Sequence, residues 1–99
     1  MIHSRRDEGD DTTLEIEGTL DAVTAPELRH AIDGIINDRR VRITLDLTRL
    51  RHIDSTGVGV VVSFYKRTRN YGAAVKLVGL KDQPLAIFRL LRLDRVFPI

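Results

Sequence analysis

Hydrophobic residues in this chain switch repeatedly between two spacings, every second residue and every three to four residues. Leu14, Ile16 and Leu20 alternate with polar residues, which is the pattern of a half-buried strand. Between residues 28 and 36 the apolar residues recur at helical spacing, and between 41 and 47 the strand alternation returns. Strands that alternate with helices are joined by parallel crossovers, so the sequence predicts an α/β fold with a mixed sheet.

The remaining segments complete the expected order ββαβαβα. A turn signal at residues 9–11 predicts a hairpin over the first 20 residues, and the polar stretch before it predicts a weak edge strand. Residues 74–80 have the pattern of another strand, and residues 84–91 that of a helix. A last short strand is expected to start at Val96. We therefore expect four to five strands with helices packed against the sheet.

The first helix has a clear start signal. Thr24 is a capping residue type, Pro26 suits a first helical turn, and Glu27 stands three residues after the threonine. Residues 55–70 are ambiguous by comparison. Their run of β-branched residues favours a strand, whereas the basic residues and glycine that follow suit the end of a helix. Periodicity alone favours the helix only slightly.

Composition limits the classes of protein that are compatible with the chain. Its 99 residues are 42% hydrophobic and 30% charged, with a formal net charge of +2, which predicts one globular domain over residues 1–99. The absence of cysteine excludes disulfides, thiol catalysis and cysteine-based metal sites. No run approaches the about 20 apolar residues of a transmembrane helix, and the N-terminus has no secretory signal. We expect a cytoplasmic protein with no membrane insertion.

The most distinctive segment is Asp54-Ser55-Thr56-Gly57, which follows a strand and a short loop and opens the next element. Asp54 or Ser55 can cap the free N–H groups of a first helical turn, and that structural role is the simpler interpretation. The alternative interpretation is a modification site. A phosphate on a serine at a helix N-terminus is favoured by the helix dipole and changes the charge of one surface patch without disturbing the fold.

Other chemistry has little support in the sequence. His52, Asp54 and Ser55 are the residue types of a hydrolase triad, but they lie within four consecutive positions and are not expected to reach its geometry. The histidines are isolated, so no metal site is expected. The chain also lacks a phosphate-binding loop, and its five aromatic residues do not alternate with the basic ones. We expect no enzymatic activity, no cofactor and no direct nucleic-acid contact.

Four stretches resemble the STAS domain family of bacterial anti-anti-sigma factors. They are residues 17–25, with Gly18-Thr19-Leu20-Asp21, the strand at 41–50, the Asp-Ser-Thr-Gly segment at 53–59, and residues 90–97. The similarity covers about residues 12–98 of the chain. The Asp-Ser-Thr-Gly motif in this order of elements is fairly specific for the family, and it is less specific for the biological role.

The resemblance implies a partner-switching regulator, an anti-sigma factor antagonist. In that family a serine kinase that is also the anti-sigma factor binds the unphosphorylated antagonist and phosphorylates the serine after the aspartate, and a serine phosphatase reverses this. Ser55 corresponds to the phosphorylated serine. The resemblance also implies partner-binding roles, which fall on Asp21, Thr24, Asp54, Ser55, Thr56 and Gly57, and it implies a helix at residues 55–70.

The chain departs from the family pattern in two respects. Arg49, Arg51 and His52 make the approach to the Asp-Ser-Thr-Gly segment more basic than expected, which leaves the identity of the partner open. In addition, members usually continue into a further C-terminal helix. Without that helix, the apolar residues 96–99 are expected to lie exposed or to pair with a second copy as a weak homodimer. Two alternative functions stay open. One is a constitutive docking subunit of another assembly, such as a stressosome-like complex, a signalling pathway outside sigma control or a lipid-transport ATPase complex. The other is a small nucleotide-binding module.

Overall fold

The fold is described from a computed structural model, over residues 1–97. Its elements in chain order are β1 (Ile2–Glu8), β2 (Asp11–Leu20), α1 (Ala25–Asn37), β3 (Arg42–Asp46), β4 (Leu50–Ile53), α2 (Ser55–Arg69), β5 (Ala74–Val78) and α3 (Asp82–Leu90). The predicted α/β class is confirmed, with a mixed sheet of five strands and three helices. No helix within the described residues has the length and apolarity needed to cross a membrane.

The sheet has the order β1-β2-β3-β5, and β4 pairs with the end of β2. Strand β1 is antiparallel to β2, and the other pairings are parallel. Two crossovers form two of these parallel pairs, because α1 connects β2 to β3 and the segment with α2 connects β3 to β5. The carboxyl ends of β2 and β4 therefore meet at one edge of the sheet.

One face of the sheet carries the core. The alternation in β2 buries Leu14, Ile16 and Leu20, and in the neighbouring strands Ile43 and Leu45 are buried in the same way. Polar residues occupy the alternate positions, and they can face solvent on the other side of the sheet. Helices therefore have to cover only one face. The period-two pattern in the sequence thus determines which face the helices cover.

The edge strand is better anchored than its polar sequence indicates. All seven residues of β1 pair with β2, from Ile2 opposite Glu17 to Glu8 opposite Asp11. The Arg5 guanidinium contacts Asp38, at the end of α1, with 2.8 Å between Nη2 and Oδ2. Ionic contacts to a helix therefore supplement strand pairing where apolar burial is small.

Two local predictions were wrong. The segment after β3 was expected to be a loop, but residues 50–53 form β4, since Leu50 and Ile53 are both buried against the core. Val96 and Phe97, where the last strand was expected to start, lie instead in a turn and a bend after a 3₁₀ turn at Leu93–Arg95, and the rest of that expected strand lies outside the described residues. The four-residue strand is too short for periodicity to identify.

The apolar end of the chain is also less exposed than expected. Phe97 is 2% exposed, and its ring lies 4.7 Å from that of Tyr65, centroid to centroid, in an edge-on contact. Only Val96 in the described part of this segment is open to solvent. Pro98 and Ile99 lie outside the described residues. The tertiary contact with α2 therefore covers the Phe97 ring, which was one part of the apolar surface on which the expected homodimer rested.

Candidate functional site

The site lies where β2 and β4 end side by side. Leu20, the last residue of β2, is in register with Ile53 of β4. The Leu20 carbonyl accepts a hydrogen bond from the Asp54 N–H, at 3.2 Å between N and O. The two loops that follow these strands, residues 21–24 and the start of α2, therefore leave the sheet at the same edge. This brings together the six residues predicted as the site.

Asp54, and not Ser55, caps helix α2. Its backbone is extended, and its carboxylate Oδ1 accepts a hydrogen bond from the Gly57 N–H at 2.9 Å. The Asp54 carbonyl accepts the next helical bond from the Val58 N–H. Ser55 is then the first helical residue, and its side chain is exposed. The cap does not need the serine hydroxyl, which is left facing solvent at the positive end of the helix dipole.

Gly57 allows α2 to start directly against the sheet. It is buried, and a Cβ placed on it would lie 2.7 Å from the Leu20 carbonyl oxygen and 2.8 Å from the Ile53 side chain. No side chain fits there without displacing backbone. Thr56 is half-buried beside it. Among the predicted residues of α2, Ser55 is therefore the exposed one.

The loop after β2 is held by its own side chains. The Asp21 carboxylate Oδ1 accepts hydrogen bonds from the N–H groups of Val23, at 3.0 Å, and Thr24, at 3.1 Å. The Thr24 hydroxyl accepts the Asp21 N–H at 2.9 Å and donates to the Thr19 carbonyl at 3.0 Å. These N–H donors, that of Thr24 foremost, lower the pKa of the Asp21 carboxyl below its usual range.

Thr24 therefore does not cap α1 through its hydroxyl. It stands at the N-cap position with helical backbone angles, and it makes no side-chain capping bond. The predicted capping box is wrong, because the hydroxyl is already engaged with the preceding loop. Glu27, its expected partner, lies 3.7 Å from the His3 imidazole instead. The start of α1 was correctly predicted although the predicted hydrogen bond is not formed.

Sequence reasoning missed Gln83, on the second residue of α3. Its carboxamide oxygen accepts the Ile53 N–H at 2.9 Å, and its carboxamide nitrogen donates to the Ile53 carbonyl at 2.8 Å. The side chain thereby pairs with β4 as a neighbouring strand would, immediately before Asp54. A glutamine in the first turn of a helix has no sequence signal for such a role.

His52, Asp54 and Ser55, the residue types of a hydrolase triad, share no side-chain hydrogen bond within residues 1–97. The Asp54 carboxylate Oδ1 instead accepts the Gly57 N–H. No group of three His, Cys, Asp or Glu residues within residues 1–97 could hold a metal ion. Arg51 and His52 are exposed on β4. The arrangement thus offers a shaped surface around one serine hydroxyl.

Fold and site together define a small α/β domain with an exposed serine at a strand-to-helix junction. The family model that describes the STAS domain matches residues 3–99. The chain belongs to the STAS domain family, as its Asp-Ser-Thr-Gly segment indicated.

Known relatives of this family are similar along nearly the whole chain. A protein of Listeria monocytogenes named anti-sigma-B factor antagonist is 29% identical over 98 residues, which are 99% of this chain and 86% of the relative. A crystal structure of an anti-sigma factor antagonist from Mycobacterium paratuberculosis superposes with a TM-score of 0.85 at 23% identity, covering 98% of this chain and 82% of that one.

A further structural relative is SpoIIAA of Bacillus, described as a cell fate determinant in its phosphorylated form. The TM-score is 0.77 at 19% identity, and the match covers 95% of this chain and 86% of SpoIIAA. At this identity the similarity establishes a shared fold. The homologues are anti-sigma factor antagonists, which are generally regulators and not enzymes.

Proposed function

We propose that this chain is an anti-sigma factor antagonist, a non-enzymatic regulator that binds an anti-sigma serine kinase and is controlled by phosphorylation of Ser55. The observation that carries the proposal is the division of roles at the start of α2. Asp54 caps the helix, and Ser55 is exposed with no part in the cap. A hydroxyl that the fold does not use is available to a kinase.

The relatives support this function. Several curated homologues are named anti-sigma-B factor antagonist, and SpoIIAA has been solved in both unphosphorylated and phosphorylated forms. In the proposal the kinase is also the anti-sigma factor, and a serine phosphatase restores the unphosphorylated chain. Partner switching of this kind takes place where transcription takes place, which in a bacterium is the cytoplasm.

A phosphate on Ser55 changes binding through electrostatics. It adds a charge of about −1.5 to −2 beside the carboxylate of Asp54, on a surface that a partner must cover. Burying that charge without a partner cation is expected to cost several kcal/mol, and each 1.4 kcal/mol is tenfold in affinity. The unphosphorylated chain therefore binds the anti-sigma factor, and the phosphorylated chain releases it.

Asp21, Thr24, Thr56 and Gly57 support the same surface in this proposal. Asp21 and Thr24 fix the neighbouring loop through their hydrogen bonds. Gly57 allows α2 to start close to β2, and this close approach determines the position of Ser55 relative to the end of β2. These residues shape the surface that the partner contacts, while the serine hydroxyl is the group that reacts.

The test is a titration against the complete set of serine-kinase anti-sigma factors of the source bacterium. We expect one kinase to bind the wild-type chain and Ser55→Ala, and we expect Ser55→Asp to bind it at least tenfold more weakly. Incubation with that kinase and ATP should add one phosphate, mapped to Ser55 by mass spectrometry. Equal binding by Ser55→Asp and Ser55→Ala would contradict the phosphorylation switch.

The same variants separate the switch from constitutive docking. A docking subunit of another assembly would bind its partners equally well with serine, alanine or aspartate at residue 55, and no kinase of the set would modify it. Loss of function in cells that carry only Ser55→Ala or only Ser55→Asp would support the switch. Normal function with both variants would favour the docking subunit.

A further inference from the structure

An apolar tip stands on the loop beside Ser55. We use this name for the exposed residues Ala22, Val23 and Pro26. The Val23 side chain is 86% exposed, which exceeds every other exposed large hydrophobic residue within residues 1–97. Turns favour Gly, Asn, Asp and Ser, so the local conformation gives no reason for a bare β-branched side chain at this position.

The tip is rigid because of Asp21 and Thr24. The Asp21 carboxylate accepts the backbone N–H groups of Val23 and Thr24, and the Thr24 hydroxyl ties the loop back to the Thr19 carbonyl. A single exposed valine on a mobile loop would be unremarkable on a protein surface. A valine presented by a hydrogen-bonded loop has less conformational freedom to lose when it binds.

The tip is continuous with the surface around Ser55. The loop begins one residue after Leu20, whose carbonyl accepts the Asp54 N–H at 3.2 Å. Both loops leave the same edge of the sheet, since β2 and β4 run parallel and Leu20 is in register with Ile53. A partner that covers the Ser55 hydroxyl therefore also reaches the loop of residues 21–24.

We propose that Val23 is the apolar anchor of this surface, inserted into a valine-sized apolar pocket of the anti-sigma serine kinase beside the position of the Ser55 hydroxyl. The inference rests on the proposed function. In this arrangement Asp21 and Thr24 are positioning residues that hold Val23, and the phosphate on Ser55 introduces charge next to the apolar contact. Val23 contributes apolar contact to binding, and the phosphorylation state of Ser55 controls it.

The experiment measures affinity for the kinase identified in the titration above. Val23→Thr keeps the shape of the side chain and replaces one methyl group with a hydroxyl, and we expect binding roughly tenfold weaker. Val23→Asp places a charge in the pocket, and we expect binding more than a hundredfold weaker. Because residue 23 has no packing role in the chain, both variants should melt at the wild-type temperature.

Val41 provides the matched control. It is also an exposed valine, 42% accessible, but it precedes β3 and so lies at the opposite edge of the sheet. Val41→Thr and Val41→Asp should bind the kinase as the wild-type chain does. Equal losses at residues 23 and 41 would overturn the proposal, because they would indicate a general effect of surface charge or polarity.

The outcomes distinguish the anchor from the proposed function. If Val23→Asp binds as tightly as the wild-type chain, while Ser55→Asp does not, the anchor is wrong and the proposed function holds. If no kinase binds the wild-type chain, both are wrong. If Val23→Asp instead converts a dimer to a monomer in sedimentation and leaves kinase binding unchanged, the tip contacts a second copy and the proposal fails.

Discussion

At the scale of single residues, two glycines of α2 have opposite surroundings. A Cβ on Gly57 would lie 2.7 Å from the Leu20 carbonyl oxygen, whereas a Cβ on Gly59 would have nothing within 4 Å. Gly57→Ala must push the helix away from β2, and we expect it to lower the free energy of unfolding by about 1–3 kcal/mol. Gly59→Ala should raise it by about 0.5–1 kcal/mol, because alanine is the better helix former.

Urea unfolding of the two variants checks this pair, each serving as the control for the other. A Gly57→Ala variant as stable as Gly59→Ala would mean that α2 does not approach β2 as closely as the geometry indicates. The variant also reports on the site, because a displaced helix start moves Ser55. The sequence alone could not show that Gly57, and not Gly59, lies against the sheet, since only tertiary packing distinguishes them.

At the scale of elements, the short strand β4 depends on a side chain from another element. The Gln83 carboxamide donates to the Ile53 carbonyl and accepts the Ile53 N–H. Gln83→Ala leaves both backbone groups without that partner, and we expect a loss of about 1–2 kcal/mol in the free energy of unfolding. We also expect faster hydrogen exchange at the Ile53 amide. Gln83→Glu keeps an acceptor for the N–H and removes the donor. Its free energy of unfolding should lie between those of the wild-type chain and Gln83→Ala.

Unchanged exchange at Ile53 in Gln83→Ala would show that α3 does not hold β4. Helix α2 and strand β4 show the limit of sequence-based prediction. Residues 55–70 were assigned to a helix mainly through the family resemblance, and the Asp54 cap and the buried Val58 and Val61 explain why the β-branched run does not form a strand. Strand β4 was missed because four residues contain too few alternations. In addition, Gln83, whose side chain pairs with it, lies 30 residues away in the chain.

At the scale of the whole molecule, the proposed phosphorylation of Ser55 is expected to change binding and to leave the fold unchanged. The side chain is exposed at the N-terminus of α2, where negative charge is favoured by about 0.3–1 kcal/mol. The formal charge of +2 would fall to about zero with a phosphate of charge −2, since 2 − 2 = 0. The core residues of α2 are buried, whereas Ser55 is exposed.

We therefore expect the phosphorylated chain to unfold within about 1 kcal/mol of the unmodified chain, with the same circular dichroism spectrum. Hydrogen exchange should differ at the first turn of α2 and not in β3 or β5. The Ser55→Asp variant, with one added charge, is the control for charge alone. A melting temperature lowered by many degrees, or exchange that rises across the sheet, would instead indicate a switch that works by reshaping the domain. Exposure of Ser55, its separation from the Asp54 cap and the one-sided core all favour the local electrostatic switch.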